Sequence, residues 1–200
     1  MIYNLSQMLV DKNINVTCAF SGIIDEDIKK KYKFDRINFI NTNILTSFRN
    51  KSLIFRFCFE ISTAIVLAVK CFFYFNKRKD LDLIIWYGPS VFLWIVVKAI
   101  NFSKKIPVYY ILRDIFPDWL ISLKIVKNFY IIWLLKKISN PQYAVSDVIG
   151  VEASENIIYL NKKGVKTKKI ELLPNWPSIV LSQNNKIDYK VKHDFNNAID

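Results

Sequence analysis

The sequence predicts an α/β domain built on a parallel, doubly wound sheet with helices on both faces. Three observations predict it. Short runs rich in apolar, β-branched and aromatic residues alternate along the chain with longer stretches of helical periodicity. The inner runs, such as residues 107–112, are continuously apolar rather than alternating, as strands covered on both faces require. The 200 residues, 52% of them hydrophobic, suffice for one core that buries about 70% of the surface of the unfolded chain.

The elements follow in order. Leu5, Met8 and Leu9 have helical spacing, and the helix they mark ends before Asn13. Residues 15–20 read as a strand stopped by Ser21 and Gly22, residues 23–35 as a charged loop, and residues 36–40 as a second short strand. Ser52 is placed to cap a long helix reaching about Asn76. On it Arg56, Glu60, Thr63 and Lys70 fall within about 80° of arc and the remainder is apolar, so this helix is expected to be nearly buried. Residues 81–87 form a strand ended by Gly88 and Pro89, and residues 90–100 an apolar helix. A strand at 107–112 comes next, then helix in two pieces over 119–138. A strand at 148–151, a helix at 154–161 and a strand at 169–172 complete the pattern. The domain is expected to span residues 1–177, with residues 178–200 a polar linker or tail.

Lysine and arginine total 29 against 17 acidic residues, a formal charge of +12, which favours anionic partners. No RNP-type aromatic motif, zinc-finger spacing or basic helix accompanies that charge, so nucleic acid is not an expected partner. Cys18, Cys58 and Cys71 lack any C-x-x-C spacing and read as small buried apolar residues in a reducing cytoplasm. Neither a metal site nor a cofactor is read from the sequence. The first residues carry no basic stretch followed by an apolar one, so no secretory signal is expected. The most membrane-like segment, residues 53–75, is interrupted by Arg56, Glu60 and Lys70. Its longest uncharged run, residues 61–69, falls short of the ~20 residues that span a bilayer, so a spanning helix is not expected.

In open parallel sheets, ligands bind beyond the carboxyl ends of the strands, so the loops at that edge are the candidate sites. At Gly88, Pro89 and Ser90 a glycine would let the backbone approach a ligand, and a helix N-terminus would offer free N–H groups. The run from Arg113 to Trp119 sets a guanidinium beside Asp114 and Asp118 directly after a buried strand. Such a cluster is costly unless paired or used, and its structural alternative is an Arg113–Asp118 ion pair. Glu152, Ser154 and their neighbours lie at a helix start, where capping accounts for most of the pattern. His193, the one histidine, falls in the polar tail and reads as exposed and uncatalytic.

The run Tyr110-Ile111-Leu112-Arg113-Asp114-Ile115-Phe116-Pro117-Asp118-Trp119 closely resembles the LILRDIFPEW signature of family 4 glycosyltransferases that assemble O-antigen and colanic-acid-type polysaccharides. Segments 82–89, 147–151 and 170–176 resemble parts of the same family in the same order, and the resemblance covers about residues 1–177. It implies the N-terminal, acceptor-side domain of a GT-B enzyme, in which two Rossmann-like domains face each other across a cleft. The family's first strand with its glycine-rich loop, and its donor domain, have no counterpart here. Arg113 stands near where many members carry a histidine.

The implied activity is transfer of a sugar, with retention, from a nucleotide-sugar donor to a lipid-linked oligosaccharide at the cytoplasmic membrane face. Arg113 would contact phosphate or hydroxyl within a cationic cleft. Asp114 would orient or deprotonate the acceptor hydroxyl. Gly88, Pro89, Ser90, Asp118, Trp119, Glu152 and Ser154 would bind the acceptor, and Asn175 and Trp176 would form the hinge toward the donor domain. Two rival readings are a non-catalytic fragment or partner subunit of a split enzyme, and a basic peripheral membrane module. An anionic membrane surface is an expected partner, because Phe129, Tyr130 and Trp133 lie beside Lys127, Lys136 and Lys137.

Overall fold

A computed structural model describes residues 2–22, 36–42, 44, 53–78, 80–88, 90–102 and 104–174. The order is α1 (Ile2–Asp11), β1 (Val16–Phe20), β2 (Ile37–Asn41), α2 (Leu53–Asn76), β3 (Ile84–Tyr87), a 3₁₀ turn (Val91–Leu93) running into α3 (Trp94–Ile100), and β4 (Val108–Leu112). Then come α4 (Asp118–Ser122), α5 (Phe129–Ser139), α6 (Pro141–Ala144), β5 (Val148–Val151), α7 (Ser154–Lys162) and β6 (Lys169–Leu172). The predicted loop 23–35, Ser52, Pro89, Asn175, Trp176, His193 and the tail from 178 lie outside the described residues.

All six predicted strands form, and every pairing is parallel. They make two sheets rather than the single one expected: β1 pairs with β2, and β3, β4, β5 and β6 follow in sequence order. The helix layer joins them. Ile40 of β2 packs with Leu67, Ala68, Cys71 and Phe75 of α2 and with Val96 of α3 in one buried cluster.

The two-stranded sheet has a helix on each face. The register pairs Cys18 with Phe39 and Ala19 with Ile40, so Cys18 and Ile40 point to opposite sides. Cys18 Sγ lies 3.3 Å from Ser6 Oγ on α1, whereas Ile40 enters the α2 cluster. The four-stranded sheet meets the expectation of cover on both faces only in part. Its buried members of the main cluster, Ile84, Trp86, Val108, Tyr110, Leu112, Ile149 and Val151, lie on one face by register, under Val97, Tyr143 and Leu160 of α3, α6 and α7. The opposite face buries Ile111 and Gly150 but carries Ile85, 36% exposed, and the half-buried pair Tyr109 and Glu171. Continuous apolarity misleads there because tyrosine and isoleucine tolerate partial exposure.

Helix α2 is another departure. Ala64, Leu67, Ala68, Cys71 and Phe75 are buried, but the outward residues Ile65, Val69 and Phe73 are exposed, so the helix is half covered rather than nearly buried. Of its polar residues Thr63 is buried and donates to the Glu60 carbonyl, while the exposed Lys70 donates to the Asn41 carbonyl. Residues 57–76 are long and apolar enough to cross a membrane by length and composition, contrary to the reading from interrupting charges. Their inner face is nonetheless part of the core. Of the cysteines only Cys71 is fully buried, which pushes its thiol up to about 12, while Cys58 is exposed.

At the amino edge of the four-stranded sheet, Asp147 ties two strands. Its Oδ2 accepts from the Val108 N–H at 2.9 Å, and Oδ1 lies 2.6 Å from Lys168 Nζ. The Lys168 hydrogen bond, followed by that of Val108, holds its carboxyl below the ordinary value; Lys169 and then Tyr109 do the same for Glu171. A depressed carboxyl stabilises the fold fully above its unfolded pKa of about 4, and that stability is lost as pH falls through the lower folded value. Unfolding midpoints in denaturant should therefore drop between about pH 5 and pH 2. Lys168 and Lys169 are largely exposed, so solvent screening keeps each pair to about 1 kcal/mol or less. The combined change Asp147→Asn and Glu171→Gln should flatten that limb; an acid limb of unchanged depth would show that other carboxylates govern it.

Candidate functional site

Parallel pairing brings the strand ends together. Tyr87 is in register with Ile111 and Leu112 with Val151, so the residues that follow β3, β4 and β5 emerge side by side at the carboxyl edge. Gly88 and Asp114 lie at this same edge, as the fold reading requires. The residue after β4 meets the residue after β5: Arg113 forms an ion pair with Glu152, both about three-quarters buried. Asp118, at the start of α4, pairs instead with Lys163 at the end of α7, Nζ to Oδ2 2.7 Å. The expected Arg113–Asp118 pair is thus replaced by two pairs, each tying the β4 loop to a segment more than thirty residues away.

Lys163 is also stacked toward aromatic rings, its Nζ 5.7 Å from the centre of Tyr143 and 5.9 Å from that of Tyr159. Burial and then the Asp118 charge push the Tyr143 and Tyr159 phenols above their usual range. These phenols stay protonated at neutral pH and act as neutral polar groups beside Asp118. Asp114, by contrast, is exposed, and its carboxylate makes no hydrogen bond or ion pair among the described residues. It is available to a ligand.

Arg113, Asp114, Asp118 and Trp119 line one open hollow of about 430 Å³ together with Ser122, Glu155, Asn156 and Tyr159. Its lining holds one guanidinium and three carboxylates, and the guanidinium is neutralised by Glu152. The hollow on this edge is thus rich in carboxylates. Exposed carboxylates and an aromatic face accept hydroxyl hydrogens and cover apolar C–H surface, which suits a polyhydroxylated ligand better than a phosphate.

No protein-family model matches this chain, and no curated protein matches it either.

The other predicted residues sit as follows. Gly88 is buried at the end of β3, and its N–H donates to the Ile111 carbonyl at 3.2 Å. A Cβ there would lie 2.7 Å from the Tyr110 hydroxyl and 3.1 Å from its Cε2, so close approach of the Tyr110 ring by itself accounts for the glycine. Ser90 precedes the 3₁₀ turn without a side-chain capping bond and is outside the hollow. Ser154 opens α7 but its hydroxyl bonds to Glu155 Oε2, so it does not cap, and Glu152 is held by Arg113. The capping account of that loop is replaced by an ion pair to β4. Pro89, Asn175 and Trp176 fall outside the described residues.

Sequence reasoning missed Lys163, Tyr159 and Ser122. Lys163 lies in a basic run at a helix end, 45 residues from Asp118, and no local spacing marks it as that carboxylate's partner. Ser122 and Asp118 do have an i, i+4 spacing that could have been noticed, since the Ser122 hydroxyl donates to the Asp118 carbonyl.

Proposed function

We propose that this chain supplies the acceptor side of a retaining, family 4-like glycosyltransferase of the GT-B type. The enzyme moves a sugar from a nucleoside diphosphate donor to a lipid-linked oligosaccharide at the cytoplasmic membrane face. The observation that carries the reading is the unpaired Asp114 carboxylate in a hollow beyond the carboxyl ends of parallel strands, within the segment that resembles the family signature. Asp114 orients the acceptor hydroxyl and takes its proton as that oxygen bonds the anomeric carbon and the bond from the same carbon to the diphosphate breaks, releasing the nucleoside diphosphate. Arg113, held by Glu152, and Asp118, held by Lys163, act as positioning residues that fix the loop and offer hydrogen bonds to acceptor hydroxyls. Trp119 and Tyr159 present aromatic surface to the sugar.

The test is transfer of labelled sugar by this chain joined to a donor domain. Asp114→Asn should lower turnover about 10²-fold or more while leaving acceptor binding within a few-fold, because general-base catalysis contributes about 10²–10⁴. An unchanged rate would reduce Asp114 to a surface residue and remove the catalytic reading.

A further inference from the structure

We infer that the segment running from α4 into α5 is a docking surface for an anionic lipid bilayer, and that it seats the Asp114 hollow at the level of the lipid headgroups. The surface stands on its own observations; only the placing of the hollow rests on the transfer reading.

Helix α5 is apolar, and the fold leaves most of it uncovered. Its start is well formed: the Asn128 side chain accepts from the Tyr130 and Ile131 N–H groups at 2.9 and 3.3 Å. Ile138 anchors its far end in the cluster of Ala64, Val91 and Phe92, and Ser139 is its one buried residue. The remainder faces outward. Phe129 is 74% exposed, Tyr130 78% and Trp133 54%, and the turn before them adds Leu123 at 66% and Ile125 at 55%. A soluble surface scatters such residues singly; here they fall within residues 123–133, on one helix and the turn leading into it.

Charge selects the occupant. Between Trp119 and Asn140 the chain carries Lys124, Lys127, Lys136 and Lys137 and no acidic residue. All four lysines are exposed, and Lys137 Nζ lies 4.9 Å from the centre of the Trp133 ring, one helical turn away. An apolar protein partner would bury these ammonium groups without counter-charges, and a second copy of this same basic surface would set them against like charges. An anionic bilayer takes both components, with hydrocarbon receiving the rings and lipid phosphates receiving the lysines. Trp119 is 45% exposed, lines the Asp114 hollow and belongs to α4, the start of this same segment, and that continuity of chain is what ties the hollow to the surface proposed to meet the lipid.

Flotation of the full chain with vesicles of phosphatidylcholine alone, and of phosphatidylcholine with phosphatidylglycerol, tests this without any sugar donor. Binding should be confined to the anionic vesicles and should weaken at high salt. Lys136→Gln with Lys137→Gln should weaken it about tenfold or more, since each lysine near an anionic surface contributes about fivefold. Phe129→Ser with Tyr130→Ser and Trp133→Ser should abolish it, with far-ultraviolet circular dichroism unchanged because these side chains lie outside the core. Phe73→Ser, at an exposed phenylalanine of α2, should float as the parent does. Equal binding to both vesicle types, flotation of the triple variant, or equal loss in Phe73→Ser would overturn the assignment. A dimer in sedimentation that the triple variant dissolves would overturn it in favour of a second copy. Failed flotation leaves the transfer assay to be judged separately, and failed transfer leaves this surface standing.

Discussion

The 200-residue chain, given a nucleoside diphosphate sugar and a lipid-linked acceptor but no donor domain, should show no measurable transfer. Glycosyl transfer needs the sugar carbon and the acceptor oxygen held about 3–3.5 Å apart with their orbitals aligned, and that positioning supplies about 7–11 kcal/mol of barrier lowering. Each 1.36 kcal/mol is a factor of ten, so losing it costs about 10⁵-fold or more. The described residues provide one side of such a site. The hollow carries a proton acceptor in Asp114 and hydrogen-bonding groups for hydroxyls, but its single guanidinium is already paired with Glu152 and cannot carry a departing diphosphate alone. Adding a donor domain on the same polypeptide should bring turnover above background, read as labelled sugar entering the lipid fraction. Clear turnover by the chain alone would overturn the acceptor-side assignment.

Replacing Tyr110 with alanine should cost about 3–5 kcal/mol of stability, a large fraction of the about 5–15 kcal/mol that an ordinary domain possesses. Tyr110 is 2% exposed in the middle of β4, and its ring is stacked on Trp86 with centroids 3.7 Å apart and planes within 6°. Its hydroxyl donates to Gln142 Oε1 at 2.9 Å; Trp86 Nε1 donates to Ser146, whose hydroxyl donates in turn to the Gln142 carbonyl. Truncation opens a cavity under the sheet and leaves the buried Gln142 side chain without this partner, so the cavity and desolvation penalties add. Burial pushes the phenol far above its usual range, so the network is unaffected by pH through the neutral region. The conservative change Tyr110→Phe should cost only about 1–3 kcal/mol, the penalty for one orphaned buried acceptor. Urea unfolding at unchanged m-value measures both. Equal midpoints for the parent and Tyr110→Ala would mean that the stacked pair is dispensable.

Both expectations draw on features that differ in how far the sequence alone reveals them. The class and the order of the strands and main helices were legible, because helical periodicity and short β-branched runs are local properties: β4, β5 and β6 fall where their residues indicate to within a residue, whereas β3 starts three residues later than expected and α6 was not foreseen. The carboxyl-edge position of Gly88 and Asp114 was legible too, since parallel strands joined by crossovers leave the loops after each strand on one side. The resemblance of residues 110–119 to a glycosyltransferase signature is likewise a property of the chain alone.

What the tertiary structure decided is which groups meet. Arg113 finds Glu152 because β4 and β5 pair with Leu112 beside Val151, a register set by packing and strand hydrogen bonds rather than by any spacing along the chain. Asp118 finds Lys163 across 45 residues for the same kind of reason, and these two pairings leave a carboxylate-rich hollow. Burial was equally out of local reach. Gly88 is glycine because the Tyr110 ring packs over it, the inner residues of α2 are chosen by neighbours on β2 and α3, and α5 stays exposed because no described element covers its outer face. Hydrophobicity along a chain says which residues gain from leaving water, whereas only the assembled fold says which of them have somewhere to go.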